Sequence, residues 1–135
     1  MTDFRYLHTM IRVFDLEKSI AFYTGPLGMM LLSKNDFEGG RFSLAFLGYE
    51  ADPNTPMIEL THNWDQAEPY EIGSGYGHVA LGVSDLDAAC DALEAAGVDI
   101  PHRPGPMQHG TTRFAFIEDP DGYKIEVLQK HGRYR

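Results

Sequence analysis

His8-Thr-Met-Ile-Arg-Val13-Phe-Asp15-Leu16 and His78-Val-Ala-Leu-Gly-Val83-Ser-Asp85-Leu86 are one segment written twice, 70 residues apart. The histidine, valine, aspartate and leucine coincide. Farther on, Ala45-Phe46-Leu47 falls on Ala115-Phe116-Ile117 at the same offset, and Ile58-Glu59-Leu60 on Ile125-Glu126-Val127 at an offset of 67. The three-residue slip lies between those blocks, where residues 48–56 and 118–122 carry turn chemistry. Turns absorb changes of length. Three blocks in the same order leave little room for chance similarity, so the chain is an internal repeat.

Each repeat reads as strand, helix, then three strands. Residues 4–13 alternate, with Leu7, Thr9, Ile11 and Val13 on one face and His8, Met10 and Arg12 on the other. Asp15 is the expected N-cap of a helix whose stripe is Leu16, Ser19, Ile20 and Tyr23. Asp85 is its counterpart, ahead of Leu86, Ala89, Cys90 and Leu93, with Gly97 where a glycine would end that helix. Strands are expected over 29–33, 41–48 and 57–62, with a turn over 36–40. In the second half they are expected near Val98 and over 112–117 and 123–129, with Asp119-Pro-Asp-Gly122 as a turn. The expected fold class is α+β: two tandem βαβββ modules, about 5–63 and 77–130, in a single domain with a linker between them.

Composition narrows the function. The 135 residues carry 11 Lys and Arg against 20 Asp and Glu, a formal charge of −9, which disfavours a phosphate backbone as partner. Hydrophobic residues make up 43%, enough for a packed core, yet no apolar run approaches the ~20 residues of a membrane span. The first residues lack the pattern of a secretion signal, and the single cysteine, Cys90, leaves no intramolecular disulfide. Nucleic acid and membrane are therefore not expected partners, and the cytoplasm is the expected compartment.

The repeat pairs two ionisable residue types: His8 with His78, and Glu59 with Glu126. Each sits between apolar neighbours that point the other way, so all four are expected on the concave faces of the sheets. A lone strand histidine is more often a hydrogen-bonded structural residue than a ligand, and a lone inward glutamate is more often ion-paired. Both types repeating together favours ligation. Two imidazoles and two carboxylates suit a divalent first-row metal with open positions for water or substrate oxygens. His62, His102, His109 and His131 have no repeat partner and read as surface or loop residues, with His62 and His109 as outer candidates around the site.

Several stretches carry a resemblance: Leu7-His8-Thr-Met-Ile-Arg12-Val, Asp15-Leu-Glu-Lys-Ser-Ile-Ala-Phe-Tyr23, Ser43-Leu-Ala-Phe-Leu-Gly-Tyr49, Ile58-Glu59-Leu-Thr-His-Asn63-Trp64, Gly75-Tyr-Gly-His78-Val-Ala-Leu81 and Glu118-Asp-Pro-Asp-Gly-Tyr-Lys-Ile-Glu126. They resemble the bacterial glyoxalase I (lactoylglutathione lyase) family of the vicinal oxygen chelate superfamily, over nearly the whole chain. The resemblance implies that His8, Glu59, His78 and Glu126 are metal ligands. It implies that Arg12 and Asn63 hold the γ-glutamyl end of glutathione, and that the active site lies between the chains of a homodimer. The short chain is similar to the nickel-activated class, so Ni²⁺ is expected before Co²⁺ or Zn²⁺. The first helix departs from the family pattern at Thr24-Gly-Pro-Leu-Gly28, and no basic residue matches the glycyl end cleanly, leaving Arg113 as the nearest candidate.

The implied activity, methylglyoxal detoxification, moves a proton from C1 to C2 of the methylglyoxal–glutathione hemithioacetal, giving S-D-lactoylglutathione. Glu126 is the expected base for the (S)-hemithioacetal and Glu59 its equivalent on the opposite face. Two other readings of the superfamily compete. One is an Fe²⁺ dioxygenase or a fosfomycin thiol transferase; the other is a metal-free drug-binding module. Glu59 with Asn63-Trp64 argues against the first, and retention of all four ligands argues against the second.

Overall fold

A computed structural model of the chain describes residues 2–106 and 112–130. Two compact units are present, residues 1–71 and 72–135. The first contains β1 (His8–Arg12), α1 (Leu16–Thr24), β2 (Met30–Phe37), β3 (Phe42–Gly48) and β4 (Met57–Asn63). The second contains β5 (Val79–Val83), α2 (Leu86–Ala95), β6 (His102–Pro106), β7 (Arg113–Glu118) and β8 (Lys124–Gln129). Both are the βαβββ order read from the repeat. Each unit forms a four-stranded mixed sheet, ordered β1-β4-β3-β2 and β5-β8-β7-β6. The first and last strands of each unit run parallel, and the other pairs are antiparallel.

Alternation along the strands decides where the core lies. In the first unit Ile11, Val13, Ala45, Leu47, Ile58 and Leu60 are buried with Leu16, Ile20 and Tyr23 of α1. In the second, Ala115, Ile117, Ile125 and Val127 are buried with Leu86, Cys90 and Leu93 of α2. One face of each sheet is thereby committed to its helix, and the polar positions of the same strands occupy the other.

Both expected caps form. Asp15 accepts a hydrogen bond from Lys18 N–H and Asp85 from Ala88 N–H, each at 3.1 Å. Helix α2 closes on Gly97 at φ +83°, where Gly97 N–H reaches Glu94 O and Val98 N–H reaches Leu93 O, both at 3.0 Å. This is the glycine-dependent termination that satisfies the last carbonyls. At the end of α1, a Cβ on residue 25 would lie 2.8 Å from Ala21 O, so the glycine ahead of Pro26 is required by the backbone there.

Three sequence expectations are corrected. Strand β2 runs on to Phe37, because Asp36 and Phe37 pair with Ser43 and Phe42 and the two phenyl rings stack at 4.9 Å. No strand lies at Val98, since that residue closes the helix; β6 begins at His102. Residues 4–7 precede β1 instead of extending it. Among the described residues no helix is long and apolar enough to cross a membrane.

Loss of one cap removes one satisfied backbone donor. Asp85→Ala is expected to lower stability by about 1 kcal/mol in urea unfolding, while Asp85→Asn, which keeps the acceptor, stays close to the parent.

Candidate metal centre

His8 pairs across from Met57 on the parallel strand β4, and Met10 across from Glu59, so His8 and Glu59 are diagonal neighbours on one sheet face. Their side chains meet: His8 Nε2 lies 3.0 Å from Glu59 Oε1. In the second unit His78, the residue just ahead of β5, and Glu126 on β8 repeat the arrangement at 3.3 Å. The glutamates are equally shielded, both 14% exposed, and the imidazoles are 34% and 41% exposed. Each imidazole meets a phenylalanine edge-on, Phe46 or Phe116, with ring centroids 5.2 Å apart in both cases.

This geometry fits a metal. Donors bound at about 2.0–2.2 Å and at right angles to one another are separated by about 3 Å, which is the spacing of each His–Glu pair. The donors are imidazole nitrogen and carboxylate oxygen, the set that suits first-row divalent ions. Each unit supplies two of the four expected ligands, and among the described residues no group of three or more His, Cys, Asp or Glu gathers to hold an ion.

Arg12 stands four residues beyond His8, and Asn63 four residues beyond Glu59. Because β1 and β4 are parallel, both offsets run in the same direction, about 13 Å from the His–Glu pair at strand rise. The strand persists to Asn63, which keeps that residue in phase with Glu59. The chain beyond it is tied down. Asn63 N–H donates to Tyr70 Oη at 3.2 Å, Trp64 Nε1 donates to Ser43 Oγ at 2.8 Å, and Arg41 forms a two-pronged pair with Asp65 at 2.8 Å. At the equivalent positions the second unit has Gly82 and Lys130.

Other candidates are relocated. His62 lies in phase with Ile58 and Leu60 on the helix side, where its Nδ1 is 3.1 Å from Val13 O, so it is not an outer group of the His–Glu pair. It lines a cavity of about 400 Å³ with Lys34, Ser43 and the start of α1. Arg113 also faces the helix, gripping Asp87 of α2 through two bonds of 2.8 and 3.1 Å, and is not a substrate contact on the opposite face. His102, read as a surface or loop residue, is exposed but lies in β6, stacked on Phe114 at 4.9 Å and edge-on to Phe116. His109 and His131 lie outside the described residues. Cys90 is buried in α2, and burial pushes its thiol up, away from a reactive thiolate.

Sequence reasoning passed over Thr61. Its Oγ1 donates to Glu59 Oε2 at 3.1 Å. The signal was present in the repeat, since the residue two beyond Glu126 is Leu128.

Residues 5–127 match the family described as Glyoxalase/Bleomycin resistance protein/Dioxygenase superfamily. The chain is 54% identical over 123 residues to the probable lactoylglutathione lyase of Synechocystis sp., covering 91% of this chain and 93% of that one. It is 52% identical over 126 residues to the lactoylglutathione lyase of Neisseria meningitidis, covering 93% and 91%. Crystallographic glyoxalase I from Zea mays superposes with a TM-score of 0.89 at 38% identity, over 95% of this chain; the chain spans 45% of the maize protein. The trypanothione-dependent glyoxalase I of Leishmania major superposes with a TM-score of 0.81 at 39% identity, covering 94% and 87%.

The Arg113 guanidinium holds the Asp87 carboxyl below its ordinary range. A carboxyl depressed in the folded state adds stability above its unfolded pKa of about 3.9 and loses it as pH falls. Asp87→Asn is therefore expected to unfold at slightly lower urea than the parent at pH 7. The gap should vanish as pH approaches 3, and parallel curves at both pH values would contradict it.

Proposed function

The chain belongs to the Glyoxalase/Bleomycin resistance protein/Dioxygenase superfamily, and on that premise we infer that it is a lactoylglutathione lyase, a glyoxalase I of class EC 4.4.1.5. It converts the hemithioacetal of methylglyoxal and glutathione into S-D-lactoylglutathione. The observation that carries this reading is the twofold His–Glu pair, with donor atoms 3.0 and 3.3 Å apart, in a chain half identical to lactoylglutathione lyases.

His8, Glu59, His78 and Glu126 would hold one divalent metal, Ni²⁺ in preference to Co²⁺ or Zn²⁺. When bound, the metal supplies Lewis-acid stabilisation for negative charge that develops on the substrate oxygens. Glu126 takes the proton from C1 of the (S)-hemithioacetal and returns it to C2; the isomerisation is balanced, with no external oxidant or reductant. A carboxylate positioned to move that proton contributes about 10² to 10⁴ in rate. Arg12 and Asn63 bind the γ-glutamyl end of glutathione, some four strand residues from the reacting carbons.

In keeping with the family resemblance, we assign the full site to a homodimer, with one pair from each of two chains. Exposed Phe4, Tyr6, Leu7 and Met10, on and ahead of the first strand, support an apolar interface there. The two modules, about 5–63 and 77–130, work as one domain. A glutathione-dependent role and a lone buried thiol both suit the cytoplasm.

Chelator-stripped protein supplied with Ni²⁺ or Co²⁺ is expected to regain thioester formation from methylglyoxal plus glutathione, with Zn²⁺ much less effective. Restoration by Zn²⁺ alone would overturn the metal preference. No restoration by any of the three would overturn the activity. Arg12→Ala should raise KM for the hemithioacetal about 10- to 100-fold, the loss of a hydrogen bond to a charged group, with kcat nearly unchanged.

A further inference from the structure

The repeat supplies an internal control for each residue of the site. Glu59 and Glu126 share their strand register, their 14% exposure, their imidazole neighbour and the phenylalanine behind it. They differ two residues farther along the same face. Thr61, 9% exposed, donates its hydroxyl to Glu59 Oε2 at 3.1 Å while Oε1 faces His8. Both oxygens of Glu59 are therefore engaged. The counterpart of Thr61 is Leu128, 4% exposed, which has no hydroxyl to offer. Glu126 Oε1 lies near His78 Nε2, and among the described residues no hydrogen bond reaches Oε2.

We propose that Thr61 is a positioning residue that holds Glu59 in place as a ligand, and that apolar Leu128 leaves Glu126 free to move the proton. A hydroxyl donating to one carboxylate oxygen resists rotation of the carboxylate and occupies a lone pair that a C–H proton would need. Among the described residues, Glu126 Oε2 meets neither restraint. The C1–H bond breaks as that oxygen takes the proton, and the same proton forms the C2–H bond. Duplication by itself makes two equal carboxylates; one side chain separates their duties. This inference rests on the ligand set and reaction proposed above.

The test compares Thr61→Val, which keeps the β-branched shape and loses the hydroxyl, with Thr61→Ser, which keeps the hydroxyl. Ni²⁺ affinity is read by competition with a chromophoric chelator, and turnover is read at saturating Ni²⁺. Thr61→Val is expected to weaken Ni²⁺ binding about tenfold, the usual scale for losing a group that orients a ligand, whereas Thr61→Ser stays within about twofold. Glu126→Gln should lose most turnover. Adding Thr61→Val to it should raise the residual turnover about tenfold, because Glu59 is released to act, while adding Thr61→Ser should not. Parent-like Ni²⁺ affinity in Thr61→Val, or a double variant no faster than Glu126→Gln, would overturn the role of Thr61. Should Thr61→Val not fold by circular dichroism, Leu128→Thr poses the reverse question: kcat should fall about tenfold with KM unchanged, and an unchanged kcat overturns the proposal. Failure of the underlying reading looks different, since Glu126→Gln alone would then keep both Ni²⁺ affinity and turnover.

Discussion

The parallel pairing of the first and last strands of each unit is the constraint on which the site depends. It sets His8 diagonal to Glu59, and His78 close to Glu126, on the face that the helix does not cover. Side chains alternate with a period of two, so a slip of one residue would turn a glutamate into the helix-packed core and bring an isoleucine or leucine to the opposite face. Burial of Ile58 and Leu60 beneath α1, and of Ile125 and Val127 beneath α2, is what forbids that slip. The hydrophobic core thus holds the His–Glu pairs in register as well as holding the fold together.

Parallel pairing has a second consequence. Equal offsets along two parallel strands stay side by side, so Arg12 and Asn63 end at the same end of the first sheet, with the His–Glu pair some 13 Å behind them. The second unit repeats the pair but has Gly82 and Lys130 at those positions. The halves are therefore alike in their His–Glu pairs and unlike in what surrounds them. Ser43 and His62 leave a cavity by α1. In the corresponding place Arg113 grips Asp87, and the Gln129 carboxamide accepts from Leu86 N–H. Thr61 against Leu128 is the difference nearest the chemistry.

The charge of −9 opposes long-range attraction of an anionic thiol adduct. The first sheet carries Arg12 at its end. Several basic side chains are ion-paired: Arg41 with Asp65, Lys34 with Glu17, Arg103 with Glu94 and Arg113 with Asp87. A basic residue counted in the sequence is thus a poor guide to a basic residue available at the site.

The duplicated segments were enough, as sequence, to establish the βαβββ order, both N-caps, the glycine stop at Gly97 and the paired His and Glu. Periodicity, cap chemistry and internal repetition are local properties of a chain. Residues outside the repeat pattern were not legible in the same way. His102 carried no partner that would mark it as a strand residue stacked on Phe114, and the basic character of Arg113 said nothing of its grip on α2. The strand at His102 depended on pairing with Phe116, and the extension of β2 through Phe37 on its pairing and stacking with Phe42 across the hairpin. Sequence determined which residues could bind a metal; tertiary structure decided which face each occupies, that donor atoms approach to about 3 Å, and that one carboxylate receives a hydroxyl its twin lacks. Those distances arise from strand register and core packing, which no stretch of sequence contains by itself.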